Sequence, residues 1–218
     1  MEISVMIAKL AEGMGVSIQI FVLTLAFSLP LGLIVAFGRM SKNGILQAVI
    51  KTYISIMRGT PLMLQLMVVY FGPYYLFGIK VASGSSYRLW ATMIGFVINY
   101  AAYFAEIYRS GIQSMPAGQY EAAQLLGYSR SQTFFRIILP QVIKRILPSI
   151  TNEVITLVKD TSLAFTIGVG EMFTTAKALA SSQTSMIPFV AAGLFYYVFN
   201  LVVAVVMDRT EKKMSYYQ

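Results

Sequence analysis

The chain of 218 residues contains no cysteine and no histidine. Thiol catalysis, disulfides and the usual zinc or haem ligand sets are thereby excluded. Charge is scarce too: Asp, Glu, Lys and Arg make up 12% of the residues, against about 25% in a soluble domain. Hydrophobic residues account for 57%. So few charges cannot cover a surface that faces water, and the class is an integral membrane protein. The pair Gly-Lys occurs nowhere in the sequence. The chain therefore has no P-loop and is not expected to be an ATPase itself. The first residues, MEISVMIAKLAEGMG, lack the basic start of a signal peptide, so no removable targeting segment is expected.

The charge that is present leans one way, 17 Lys and Arg against 9 Asp and Glu, a net +8. In a membrane protein such an excess belongs to basic cytoplasmic loops, and nucleic acid is a poor candidate partner.

A spanning helix needs about 20 mostly apolar residues. Five runs are expected to cross, at about residues 16–37, 61–77, 87–108, 137–157 and 187–207. Residues 45–57 carry apolar positions at helical spacing and read as an interfacial helix. Thr60 suits an N-cap and Pro61 a first helical turn. Gly72-Pro73 is expected to kink or end the second span. A loop containing Gly168 and Gly170 is expected after the fourth. Tyr74, Tyr75, Tyr87 and Trp90 gather at one end of two spans and read as an interfacial aromatic belt.

With five spans, twelve Lys and Arg fall on one side. Lys9, Lys80, Arg88 and Lys177 fall on the other, and Lys159 lies within the membrane. This predicts an N-terminus outside and a C-terminus in the cytoplasm. No internal repeat is evident, and one transmembrane domain accounts for residues 1–218. The expected fold is all-α, with five transmembrane helices per protomer, in a prokaryotic cytoplasmic membrane.

The longest polar stretch, MPAGQYEAAQLLGYSRSQTFFRIILP, covers residues 115–140 on the basic side. Gly127 is placed to end a first short helix. Ser129 and Gln132 have the spacing of a capping box that starts a second. Two helices are expected at about residues 118–136, joined by a glycine turn.

Within this stretch, Glu121-Ala122-Ala123, Gly127, Ile137 and Leu139-Pro140 have the spacing of the EAA motif. That motif marks the membrane subunits of ABC importers. Arg58-Gly59-Thr60-Pro61, with the LMLQLMVVYFG that follows, resembles the second helix of the polar amino acid permeases. Lys159-Asp160-Thr161-Ser162-Leu163 resembles a signature of the same group. The resemblance covers roughly residues 16–210. It implies a type I importer permease whose Glu121, Ala122, Ala123 and Gly127 belong to coupling helices seated on a separate ATPase. It also implies that ATP and Mg²⁺ are bound by that ATPase, with no cofactor or metal in this chain. An extracytoplasmic binding protein would deliver the amino acid, and a second permease chain would complete the pathway, an identical copy being favoured over a related one. Such a chain is a transporter component and not an enzyme.

The fourth run contains NEVITLVKDTS. Ionisable residues in a bilayer are costly and usually face a cavity or one another. Glu153, Thr156 and Asp160 share one helix face at i, i+3 and i+7, flanked by Asn152 and Lys159 and followed by Thr161 and Ser162. On the third run Asn99, Tyr103 and Glu106 form a second stripe. The two stripes read as one substrate pathway, although either could instead hold helices together. Glu106 reads as an interfacial salt bridge to Arg109. Lys159 reads equally as a strut to Glu153 or Glu106 and as a contact for a substrate carboxylate.

Two acids and at most one base favour a cation. A basic amino acid (arginine, lysine, histidine or ornithine) could place its amino group at Asp160 and its side-chain cation at Glu153. Its carboxylate could meet Thr156, Thr161, Ser162 or Lys159. An acid at position 153 also resembles the members that carry basic amino acids. The competing reading is an ATP-independent secondary transporter or cation channel using Glu153 and Asp160 as a relay. A membrane scaffold without transport is a third.

Overall fold

The computed structural model describes residues 2–79 and 84–214. Among them every regular element is helical. In chain order these are α1 (Ile3–Arg39), α2 (Gly44–Gly59), α3 (Leu62–Phe77), α4 (Ser85–Gln113), α5 (Ala117–Leu125), α6 (Arg130–Thr133), α7 (Leu139–Asp160), α8 (Met172–Gln183) and α9 (Ile187–Met214). A π turn, Phe134–Ile138, joins α6 to α7, and a 3-10 helix, Thr161–Ile167, follows α7. Lys80, one of the four basic residues expected outside, lies beyond the described residues.

Helices α1 and α9 are long and apolar enough to cross a membrane. Helices α2 and α3 meet at 112° and together make a third candidate. With 29 and 22 residues, α4 and α7 could reach about 43 and 33 Å at 1.5 Å per residue. Their charged residues keep them from reading as apolar spans.

Helix α4 is the innermost element. Phe96, Tyr100, Ala101, Ala102, Phe104 and Ala105 are all buried along it. It packs on α1 through small residues at i, i+4 spacing on both sides, Gly32 and Ala36 against Ala101 and Ala105. A Cβ built on Gly32 would lie 2.8 Å from Phe104 Cβ and 3.1 Å from the Ala101 carbonyl oxygen. Lipid tails are as apolar as leucine, so helices in a membrane associate by close packing of this kind more than by the hydrophobic effect.

Several elements differ from their sequence-based outlines. Helix α1 starts at Ile3 and not near residue 16, because Met6, Leu10 and Met14 are buried against Met172, Ala176 and Leu179 of α8. Helix α3 continues through Pro73 to Phe77 and ends at Gly78 in the left-handed region (φ +64°). Thr60 does not cap α3. Its hydroxyl donates back to the Ile56 carbonyl at 2.8 Å, and Pro61 occupies the N-cap position. The expected loop after the charged run is instead the 3-10 helix and then α8. Between them, Gly168 has φ +74°, and its carbonyl accepts from Arg88 Nη1 at 3.2 Å.

The polar insert at residues 115–140 has both turn devices read from sequence. The Ser129 hydroxyl accepts from Gln132 N (3.3 Å), while the Gln132 side chain accepts from Ser129 N (2.9 Å). Gly127 has φ +79°. The Tyr128 and Gly127 amides donate to Ala123 and Gln124 carbonyls, both at 3.0 Å, which closes α5 with a Schellman motif.

Candidate translocation site

Helix α7 runs unbroken to Asp160 and then tightens into the 3-10 turn. The Thr161 hydroxyl donates to the Val158 carbonyl and the Ser162 hydroxyl to the Lys159 carbonyl, both at 2.8 Å. These back-bonds satisfy carbonyls at the point where the helix changes pitch. Asp160 is half-buried, and its Oδ2 accepts from the Tyr100 hydroxyl of α4 at 2.8 Å. Glu153, two turns earlier on the same face, is half-buried and accepts no hydrogen bond from any described residue. Asn152, Thr156 and Lys159 are exposed. Lys159 forms no ion pair among the described residues.

The stripe on α4 stays together but faces the last turn of α2. Asn99 is buried, and its Nδ2 donates to the Met57 carbonyl (3.1 Å) and to Gln65 Oε1 (2.9 Å). Gln65 Nε2 in turn donates to the carbonyls of Met57 (3.0 Å) and Thr60 (3.1 Å) and to the Thr60 hydroxyl (2.8 Å). The elbow between α2 and α3 is thus fastened to α4 by polar side chains that supply donors to its free carbonyls. Tyr103 carries the Arg58 guanidinium over its ring, with Cζ 5.3 Å from the centroid. Glu106 receives Arg109 through one guanidinium edge, Nη2 at 2.6 Å and Nε at 3.1 Å, with Arg39 Nε at 3.8 Å.

A fully buried carboxylate escaped the sequence reading. Glu171 is fully buried and caps α8. It accepts from Phe173 N (2.7 Å), Thr174 N (2.7 Å), the Thr174 hydroxyl (2.8 Å) and the Tyr196 hydroxyl of α9 (3.1 Å). The adjacent Met172 N donates to the Ser17 hydroxyl of α1 at 3.3 Å. Three helices therefore meet at this node. Its only sequence signal is an acid between Gly168-Val169-Gly170 and Met172-Phe173.

At the opposite end of the molecule, Glu121, Ala122, Leu125, Leu126 and Gly127 are exposed, while Ala123 is buried. Leu125 is 90% exposed at the tip of the insert.

A helical bundle with two half-buried acids on one face of α7, and a two-helix insert with the EAA spacing, fit the membrane component of an ATP-driven importer. The chain belongs to the family described as "binding-protein-dependent transport system inner membrane component", which it matches over residues 28–216. It is similar to the arginine transport system permease protein of Bacillus subtilis, 35% identical over 205 residues, covering 94% of this chain and 91% of that one. It is also similar to the L-cystine transport system permease protein of the same organism, 33% identical over 210 residues, covering 95% and 87%. Among solved structures, the crystal structure of an amino acid ABC transporter with histidines matches with a TM-score of 0.84 at 29% identity, over 94% of each chain. The chain is thus an amino acid ABC permease. It is a transporter component and not an enzyme, ATP hydrolysis residing in a separate subunit, and the ATP-independent alternative is not favoured.

Proposed function

We propose that this permease carries basic amino acids inward across a prokaryotic cytoplasmic membrane, and that the face of α7 bearing Glu153, Thr156 and Asp160 lines the pathway. Five spans per protomer, an outside N-terminus and a second identical chain complete this reading. A binding protein would load the outer side. Two ATPase subunits would take the α5–α6 projection into their clefts through Glu121, Ala122, Ala123 and Gly127. Nucleotide-driven closure of the ATPases would then move α7, because α6 passes into α7 without a loop.

The observation that carries the substrate class is Glu153. It is half-buried on the helix face shared with Asp160, and it has no hydrogen-bond donor of its own. A half-buried carboxylate on the same helix face as a second acid favours a cation. The similarity to an arginine permease agrees with this, whereas the similarity to a cystine permease leaves room for a neutral polar amino acid.

The test is ATP-driven uptake by the complete transporter in proteoliposomes, comparing arginine, lysine, histidine and ornithine with glutamine. Glu153→Gln should lower uptake of the basic substrates by about tenfold relative to glutamine, a loss of about 1.4 kcal/mol of discrimination. Undiminished uptake of basic amino acids by that variant would refute the assignment.

A further inference from the structure

We propose that Arg88 is a positioning residue for transport. It latches the far end of the 3-10 segment Thr161–Ile167 to α4, and this latch has to release when the end of the pathway beyond Asp160 opens. The inference rests on the pathway reading given above and deepens it.

The segment leaves α7 directly after Asp160 and ends at Gly168. Both of its ends are pinned to α4. Tyr100 donates to Asp160 Oδ2 at 2.8 Å, and Arg88 Nη1 donates to the Gly168 carbonyl at 3.2 Å. Tyr100 and Arg88 stand twelve residues apart on α4, about 18 Å at 1.5 Å per residue. Asp160 and Gly168 stand eight residues apart, about 16 Å at the 3-10 rise of 2.0 Å per residue. The two spacings match, so the segment lies along α4 as a strap fixed at each end. Between the pins, Ala164 and Ile167 are buried in the same core as Phe96 of α4.

The two pins differ in strength. Tyr100 is buried and makes a short bond to a carboxylate, the stronger kind of hydrogen bond. Arg88 is half-buried near the start of α4, and both of its acceptors are neutral. One is the Gly168 carbonyl; the other is the Tyr70 hydroxyl of α3, 3.4 Å from Nε. Arg88 forms no ion pair among the described residues. Water can take the place of a carbonyl at a half-buried guanidinium, so this pin is the one that yields first. The backbone at its end is suited to swing. Gly168 lies in the left-handed region, with φ +74°, which glycine adopts without steric cost. A 3-10 stretch that continues a long helix often marks a hinge. Release of Arg88 therefore frees the far end of the strap while Tyr100 keeps Asp160 in place.

The chain has no cysteine, so a single Val169→Cys can report on the strap. Val169 directly follows Gly168 and is only 6% exposed. The complete transporter carrying Val169→Cys is placed in nanodiscs and treated with a water-soluble maleimide, and modification of the permease chain is followed by mass. Labelling should be slow, and it should speed up when a non-hydrolysable ATP analogue is bound. Adding Arg88→Gln should raise the rate without nucleotide roughly three- to tenfold. ATP hydrolysis in the absence of binding protein should rise alongside. Arg88→Lys keeps a charged donor and should stay near the parent rate. If Arg88→Gln does not assemble, Gly168→Ala attacks the same contact from the acceptor side, since its Cβ would lie 3.3 Å from Arg88 Nη1, and it should speed labelling likewise. A rate equal to the parent's in Arg88→Gln, or in Gly168→Ala where that replaces it, would overturn the latch. So would a parent rate that the ATP analogue leaves unchanged. Faster labelling in Arg88→Gln together with undiminished uptake of basic amino acids by Glu153→Gln would keep the latch and refute the pathway reading.

Discussion

Glu171 provides the sharpest test of the packing. It is fully buried and satisfies four donors, two of them backbone amides in the first turn of α8. Glu171→Ala removes every acceptor at once. The Thr174 and Tyr196 hydroxyls can rotate to other oxygens, but the Phe173 and Thr174 amides cannot. Each buried, unsatisfied donor costs about 1–3 kcal/mol, and loss of a helix cap costs about 1 kcal/mol. The total is about 3–7 kcal/mol. Glu171→Gln keeps Oε1 for Thr174 and turns an amide group toward the Phe173 N–H and the Tyr196 hydroxyl. One donor–donor conflict remains, worth about 1–2 kcal/mol. For a chain of this size 1 kcal/mol shifts the midpoint by about 2–4 °C. Thermal unfolding of the transporter in nanodiscs should therefore rank parent above Gln above Ala, with the Ala variant lower by about 6 °C or more. An Ala variant melting within about 2 °C of the parent would show that the node does not hold α8 to α9.

Two glycines give further predictions by different physics. A Cβ on Gly127 meets nothing within 4 Å, yet its φ is +79°, so Gly127→Ala should cost only the backbone strain of about 1–2 kcal/mol; in reconstituted complexes it should blunt the stimulation of ATP hydrolysis by the loaded binding protein. A Cβ on Gly32 would sit 2.8 Å from Phe104 Cβ, so Gly32→Ala must push α1 from α4 and should cost about 1–3 kcal/mol, read as a lowered melting midpoint with basal ATP hydrolysis measured alongside.

Much of the helix framework was legible because long apolar runs leave few alternatives. The insert was legible because Gly127 and the Ser129–Gln132 pair act locally, within a few residues of themselves. What escaped depends on partners distant in sequence. Helix α8 has a weak pattern of its own, and it is fixed by α1 and α9. Its cap is Glu171, outside the usual Ser, Thr, Asp and Asn set. Asn99 and Tyr100 show why a stripe alone does not name its neighbours. They are adjacent in sequence and about 100° apart around the helix. Asn99 meets Gln65 at the elbow, and Tyr100 meets Asp160 on α7. Spacing marked Asn99 as polar and passed over Tyr100, whose aromatic ring blends with a membrane helix.

The hydrogen-bond inventory around Thr161 narrows how a substrate would be held. Two tyrosine–carboxylate pairs flank this turn, Tyr100 with Asp160 before it and Tyr196 with Glu171 after it. Glu171 is saturated by four donors, which suits a structural anchor. Asp160 accepts one hydrogen bond, so its remaining lone pairs are open to an incoming ammonium. The hydroxyl protons of Thr161 and Ser162 already bond to carbonyls of α7. To donate to a substrate carboxylate they would have to leave those carbonyls unpaired at a helix end. Lys159 faces no such cost: it is exposed and has no ion pair among the described residues. Of the groups that could meet a substrate carboxylate, its ammonium is therefore the strongest candidate. On the proposed pathway, an α-amino acid between Lys159 and Asp160 would have Glu153 seven residues back along α7, about 10 Å away, a distance that a long cationic side chain would help to span.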